Sequence, residues 1–238
     1  MFNLNTGLNG CFGMTGIVLY GAMLAVLLAA YFLGSINSAI LFSKLVYKDD
    51  IRKHGSGNGG MTNMLRTFGG KAALMTLVGD LGKTAISIVI AGIVFGFNYA
   101  PGAFVCVNPT LYWAGLFAVL GHIFPVYYGF KGGKGVLVTS TMALILTPFP
   151  FLILFGLFVV IFVTSHYISL GSVSVAVLYP VLMHGYFAVM LGAPMQGEIA
   201  LVTMILACLI VWCHRANLQR ISERTEKKTY LRKKSKDE

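Results

Sequence analysis

The sequence predicts an all-α polytopic membrane protein with seven transmembrane helices, its N-terminus external and its C-terminus cytoplasmic. Three observations carry this. The 238 residues are 57% hydrophobic and only 11% charged, with a mean hydropathy of +0.79, whereas soluble domains carry roughly a quarter charged residues. Seven apolar stretches recur along the chain. The cations between them fall on alternate connectors. Residues 1–238 read as one integral-membrane unit, with 1–14 as an external N-terminus and 214–238 as a basic cytoplasmic tail.

Residues 1–14 are uncharged and rich in Asn and Gly, without the basic start of a cleavable signal. Apolar segments follow at 15–46, 72–97, 110–128, 135–147, 149–164, 172–191 and 198–213. A helix needs about twenty residues to cross a bilayer. The first two segments are long enough to protrude. The fourth and fifth are short and parted by Pro148 and Pro150, so they read as tilted, re-entrant or one broken span, with six or eight crossings as alternatives to seven.

Cations set the orientation. Connectors 47–71, 129–134 and 165–171 and the tail from 214 share one side, and seventeen of the eighteen Lys and Arg residues lie in or beside them, Lys83 being the exception. The N-terminus, 98–109, Pro148 and 192–197 contain none. Positive charge marks the cytoplasmic side, and only an odd number of crossings produces this pattern. The net charge of +10 therefore belongs to a membrane surface facing anionic lipid, not to nucleic acid. Cys11, Cys106, Cys208 and Cys213 have neither paired spacing nor a CxxC, and the five histidines lack metal-ligand spacing. No metal or cofactor is expected.

Four clusters carry chemistry, all towards the cytoplasmic side. Lys48–Lys71 (KDDIRKHGSGNGGMTNMLRTFGGK) mixes Gly55, Gly57, Gly59 and Gly60 with Ser56, Asn58, Thr62, Asn63, Arg52, Lys53 and Arg66. Glycines bring backbone N–H groups close to a ligand, and a helix start beyond the loop would add more. Gly55-x-Gly57-x-x-Gly60 formally matches the dinucleotide fingerprint, but an apolar helix precedes it and no βαβ unit follows. A flexible connector is the plain alternative. Asp80 and Lys83 in VGDLGKT share a helix face at i, i+3, as a functional pair inside a span or a structural ion pair. Gly121–Gly135 (GHIFPVYYGFKGGKG) breaks at Pro125 and presents Lys131, Gly132, Gly133, Lys134 and Gly135, a Gly/Lys turn opening a helix and hence an anion site. It is not a Walker A loop, since Gly135 follows the lysine. His122 reads as a helix-end hydrogen-bonding residue. His214 and Asn217 share a face if the last helix continues, and Arg215 and Arg220 read as headgroup anchors. In the turn 165–172, Ser172 reads as a helix N-cap.

Two Gly/cation loops at one membrane surface point to phosphate groups gripped from two sides. A His-x4-Asp pair, a Cys or Ser nucleophile with a nearby base, and an acidic metal cluster are all absent from the sequence. Catalysis would then rest on positioning and on stabilising negative charge. A transporter for an organic phosphate is the alternative from another class. It calls for a polar path through the bilayer and commonly an internal repeat; no repeat is visible, and the polar residues gather at one face.

IRKHGSGNGGMTNMLRTFG, GDLGKT, GHIFPVYYGFKGGKGV, YISLGS and HRANLQRISERTE occur here in the order and spacing of the acyl-phosphate:glycerol-3-phosphate acyltransferases (the PlsY family), which the chain resembles from about residue 31 to 226. The resemblance implies a seven-span bacterial inner-membrane enzyme whose site faces the cytoplasm. It further implies transfer of a fatty acyl group from acyl phosphate to the sn-1 hydroxyl of glycerol 3-phosphate. Lysophosphatidic acid and phosphate are the products, in the first step of phospholipid synthesis. By position, Ser56 and Arg66 match the family's first motif. Lys131–Gly135 matches its glycerol-3-phosphate motif, and His214, Asn217 and Glu226 match its third. Catalytic roles are expected of Ser56, Arg66, His214 and Asn217. Substrate or phosphate binding is expected of Gly55, Gly57, Asn58, Thr62, Asn63, Lys83 and Lys131–Gly135, with Asp80 and Glu226 in support. Arg66, Lys131 and Lys134 would take the phosphates, Lys83 adding charge from below. Asn217 and His214 would orient the hydroxyl, and a donor phosphate oxygen would accept its proton. Met61, His166 and Arg224 stand where the family usually has Ala, Arg and Gly.

Overall fold

The computed structural model describes Gly7 and residues 16–229; the rest of the expected external N-terminus with Cys11, and the end of the basic tail, lie outside the described residues. Among the described residues there are nine α-helices, two short 3₁₀ turns and one two-stranded ribbon.

The first apolar stretch is not one helix. Helix α1 (Gly16–Ser35) stops and α2 (Ser38–Val46) begins after a break at Ile36–Asn37. The Asn37 side chain accepts from the Ile40 N–H at 3.0 Å, capping α2, and its amide donates to the Gly59 carbonyl at 3.0 Å. Carbonyls freed by the break at Gly34 and Ile36 each accept from Lys83 Nζ at 3.0 Å. A lysine four dozen residues away therefore stabilises the break, which is why hydropathy along 15–46 does not reveal it.

Helix α3 (Met61–Phe68) lies inside the polar connector, where the sequence suggests loop, and Gly69 separates it from α4 (Gly70–Phe95). The ribbon follows, with β1 (Tyr99–Ala100) antiparallel to β2 (Val105–Cys106). Helix α5 (Pro109–Ile123) starts with proline in its first turn and an Asn108 cap onto the Thr110 N–H. It packs on α1 where Gly34 meets the Ala118 carbonyl and Gly121 meets the Tyr31 carbonyl, the close approach that small residues allow in membranes.

Helices α6 (Val136–Leu146) and α7 (Pro148–Ser165) are separate and join at Thr147. With 11 residues, α6 is about 16 Å long, roughly half the hydrocarbon core. Helix α8 (Ile168–Leu191) begins one turn before the expected N-cap: Ser172 lies inside it and donates to the Ile168 carbonyl at 2.9 Å. Helix α9 (Gly197–Ser222) runs well past residue 213 and so carries both His214 and Asn217. The core centres on buried Leu111, Tyr112, Leu116, Met142, Met183, Phe187 and Ile199.

Among the described residues six helices are long and apolar enough to cross a membrane: α1, α4, α5 with its following turn, α7, α8 and α9. The chain is a multi-pass membrane protein. Hydrogen bonds tie its connectors into two ends. At one, Arg52 donates to the Tyr128 carbonyl at 3.0 Å, Arg66 to Thr229 Oγ1 at 2.7 Å, and the Thr229 N–H to the His166 carbonyl at 2.9 Å. At the other, Gln196 donates to the Val107 carbonyl at 3.1 Å and Tyr186 to the Ala103 carbonyl at 2.8 Å.

Candidate active site

The first connector is organised by a buried asparagine. Asn63 Nδ2 donates to the carbonyls of Ile51, His54 and Asn58 at 3.2, 3.0 and 3.1 Å, and its Oδ1 accepts from the Ser56 N–H at 3.1 Å. Gly55 takes φ +57 directly against Asn63 Oδ1, leaving no room for a side chain. All of Asn63's polar atoms thus face the loop, so it shapes the cradle instead of holding a phosphate. The cradle presents Ser56, Asn58 and Thr62. The first-turn N–H groups of Met61 and Thr62 in α3 have no intrahelical acceptor, and both residues line the cavity.

Of this connector's cations, Arg52 is committed elsewhere. Its guanidinium meets Asp50 at 2.7 Å and holds that carboxyl down at about 2, while its Nη1 ties the loop to Tyr128. Arg66 is exposed on the cavity wall, and among the described residues its hydrogen-bond partner is the Thr229 hydroxyl.

The second connector behaves differently. The Gly132 and Gly133 N–H groups donate to the carbonyls of Ile123 and His122 at 3.2 and 3.1 Å, so they are not free for an anion. Gly133 packs so closely on His122 that a Cβ there would collide with its Nε2, and it would also sit 3.0 Å from the Gly59 carbonyl oxygen. Lys131 is exposed and outside the cavity wall. Lys134 turns inward and donates to Asn217 Oδ1. Burial lowers its pKa, and nearby Glu226 opposes that.

On α9, His214 Nδ1 sits 2.8 Å from the Ile210 carbonyl. That oxygen can only accept, so Nδ1 carries the hydrogen and Nε2 is left as an acceptor. The chain reverses after α9 through Arg224, whose φ of +57° is a conformation natural to the glycine that the resemblance has there. The reversal returns Glu226 to the site, where it accepts from Asn217 Nδ2 at 2.6 Å, Arg220 Nε at 2.7 Å and Ser169 Oγ at 3.1 Å. Burial raises the Glu226 pKa, but hydrogen bonds from Asn217, Arg220 and Ser169 outweigh it and hold it below the usual value.

Asp80 and Lys83 form a buried ion pair at 3.0 Å, with His122 Nδ1 3.0 Å from Lys83 Nζ. With two carbonyls, a carboxylate and an imidazole around it, the Lys83 ammonium has no donor left for a substrate phosphate. Its place is the α1–α2 break and the support of the second connector through His122.

These groups meet at one cavity of about 1020 Å³. Its mouth carries Gly55, Ser56, Asn58, Thr62, Asn63, Arg66, Lys134, Gly135, His214, Asn217 and Glu226, with Asp80 below. Gly57, Lys83, Lys131, Gly132 and Gly133 do not line it. Arg220, Ser169 and Lys227 do, although none of them is among the site residues expected from the sequence. The available signal for Arg220 was its spacing, three residues beyond Asn217 on the same helical face. Below the mouth the cavity continues as an apolar groove between α6, α7, α8 and α9, past Val136, Leu137, Phe158, Phe155, Val175, Ala176, Ala207 and Ile210 to Tyr179 and Leu206.

A family model described as glycerol-3-phosphate acyltransferase matches residues 24–224. The chain is 36% identical over 205 residues to a glycerol-3-phosphate acyltransferase of Alkaliphilus metalliredigens, covering 86% of this chain and 95% of that one. It is 39% identical over 203 residues to that of Geobacillus kaustophilus, covering 85% and 94%. Among solved structures it is similar to PlsY (YgiH), an integral membrane glycerol 3-phosphate acyltransferase, at 30% identity over 88% of this chain and 96% of that one. The TM-score is 0.75 for the glycerol 3-phosphate form and 0.73 for the lysophosphatidic acid form.

Proposed function

Because the chain belongs to the glycerol-3-phosphate acyltransferase family, we propose that it moves a fatty acyl group from acyl phosphate to the sn-1 hydroxyl of glycerol 3-phosphate, releasing lysophosphatidic acid and phosphate. The observation that carries this is the joined cavity: a cationic, N–H-lined mouth opens directly into an apolar groove. A phosphate on a small polyol and a long acyl chain bearing a phosphate both find their chemistry there. The apolar lining reaches Tyr179, Leu206, Leu154 and Phe151 within the bundle, and the polar lining gathers at one end, which favours a transferase over a transporter.

In this reading Arg66, Lys134, Ser56 and the first-turn N–H groups of α3 hold phosphate oxygens. The sn-1 oxygen attacks the acyl carbonyl carbon, the bond from that carbon to the phosphate oxygen breaks, and the phosphate leaves with the electron pair. The hydroxyl proton passes to the departing phosphate or to His214 Nε2. Lys134, kept in place by Asn217, stabilises the charge as it moves onto the leaving group. Glu226 sits among Asn217, Arg220 and Ser169 as a support that fixes the donors of the mouth.

We place the cavity mouth at the cytoplasmic face of a bacterial inner membrane. The reading is of one integral-membrane acyltransferase unit crossing the bilayer seven times, with α1 and α2 together as one pass and α6 as a short one. The grouping of basic connectors at one end supports this orientation. Purified protein mixed with labelled glycerol 3-phosphate and either acyl phosphate or an acyl thioester tests the function. Labelled lysophosphatidic acid acylated at sn-1 is expected with acyl phosphate alone; product from the thioester, or none from acyl phosphate, rejects it.

A further inference from the structure

The apolar groove has a floor. Tyr179 of α8 is 3% exposed and lines the cavity. Its hydroxyl lies 3.3 Å from Oγ1 of Thr147, the fully buried residue that joins α6 to α7 and that donates back to the Ala143 carbonyl at 2.9 Å. The ring therefore bridges from α8 to the α6–α7 junction and closes the space beneath it.

Three helices measure the depth independently. From Ser169, bonded to Glu226 at the mouth, α8 runs down to Tyr179. Helix α9 runs from Asn217 back to Leu206, and the α6 wall runs from Gly135 to Leu144. At 1.5 Å per residue each distance is about 14–17 Å, close to half of the ~30 Å hydrocarbon core. The groove is thus as deep as one leaflet is thick, and it matches the extended tail of an ordinary membrane lipid.

We infer that Tyr179, braced by Thr147, is the specificity-determining residue that sets the upper limit on acyl-chain length. The inference deepens the acyl transfer proposed above and rests on it. A chain short of the ring forgoes buried methylenes, each worth roughly fourfold in binding. A chain that is too long must bend or displace a close-packed ring. Ala176, one turn above Tyr179 on α8 and also in the wall, is the next position at which the depth can be changed.

The test assays wild type, Tyr179→Ala and Ala176→Leu with labelled glycerol 3-phosphate and saturated acyl phosphates stepped two carbons at a time, with thermal unfolding in detergent as a fold check. Tyr179→Ala is expected to move the kcat/KM optimum to longer chains by at least one step. Ala176→Leu is expected to move it to shorter chains, with a roughly tenfold loss on the wild type's preferred donor. If Tyr179→Ala does not fold, Ala176→Leu decides alone. An optimum unchanged in the folded variants overturns the inference, and indicates that long chains leave sideways past Leu144 and Phe155, which are 45% and 51% exposed. Should wild type use no acyl phosphate of any length, the donor assignment fails separately. The floor is then read from protection against thermal unfolding by lysophosphatidic acids of the same chain lengths, where an unchanged length dependence again overturns it.

Discussion

The two glycine-rich connectors look alike in sequence and differ in the folded protein. The first, around Gly55–Arg66, sets Ser56, Asn58, Thr62 and Arg66 in the cavity wall, with a buried Asn63 holding its carbonyls from behind. The second, Lys131–Gly135, uses two of its three glycines to lie against α5, their N–H groups bonded to the Ile123 and His122 carbonyls, and sends in one lysine. Glycine next to lysine thus has two meanings: backbone offered to a ligand, or backbone pressed against a neighbouring helix. Only the partner of each N–H group distinguishes them.

Substitutions can sharpen or break this contrast. The largest effect is expected where each loop reaches the cavity. Arg66→Ala in the first and Lys134→Ala in the second should each lower kcat by about 10²–10³-fold with little change in thermal stability. Near-normal turnover in either would remove that loop from the chemistry. An intermediate effect is expected at Gly133→Ala, whose methyl group would press on the His122 ring and the Gly59 carbonyl. Overpacking of this kind costs about 1–3 kcal/mol, so the melting temperature should fall together with activity. A KM for glycerol 3-phosphate that rises alone, with stability intact, would instead make Gly133 a ligand contact. The smallest effect is expected at Lys131→Ala, outside the cavity and exposed, where kcat/KM should stay within about twofold, the range of an exposed charge. A collapse of activity there would mean that the second loop turns over on binding.

The fourth cluster, on the last helix, was the most legible part of the site. Helical spacing alone puts His214 and Asn217 on one face, and α9 does continue through both. The same spacing reaches Arg220, which composition near a membrane surface had cast as a headgroup anchor. Less legible was Lys83. A charge inside an apolar helix announces that it has a partner, but not that the partners include Asp80, His122 and two carbonyls released by a break nearly fifty residues earlier. Ser172 shows the same limit on a smaller scale: it satisfies its hydroxyl within α8, as serine does in apolar helices, when its position after a polar turn suggested a cap.

By itself the sequence determined the membrane, the helical class and the end of the molecule where polar groups gather. Those follow from local quantities, namely apolar length, charge scarcity and the placement of cations, which need no knowledge of what packs on what. The tertiary structure alone decided which cations are free, which glycines touch backbone, where the first apolar stretch breaks, and how deep the groove runs to Tyr179. Each of these depends on hydrogen-bond and packing partners distant in sequence, and a donor committed to one acceptor is no longer available to another.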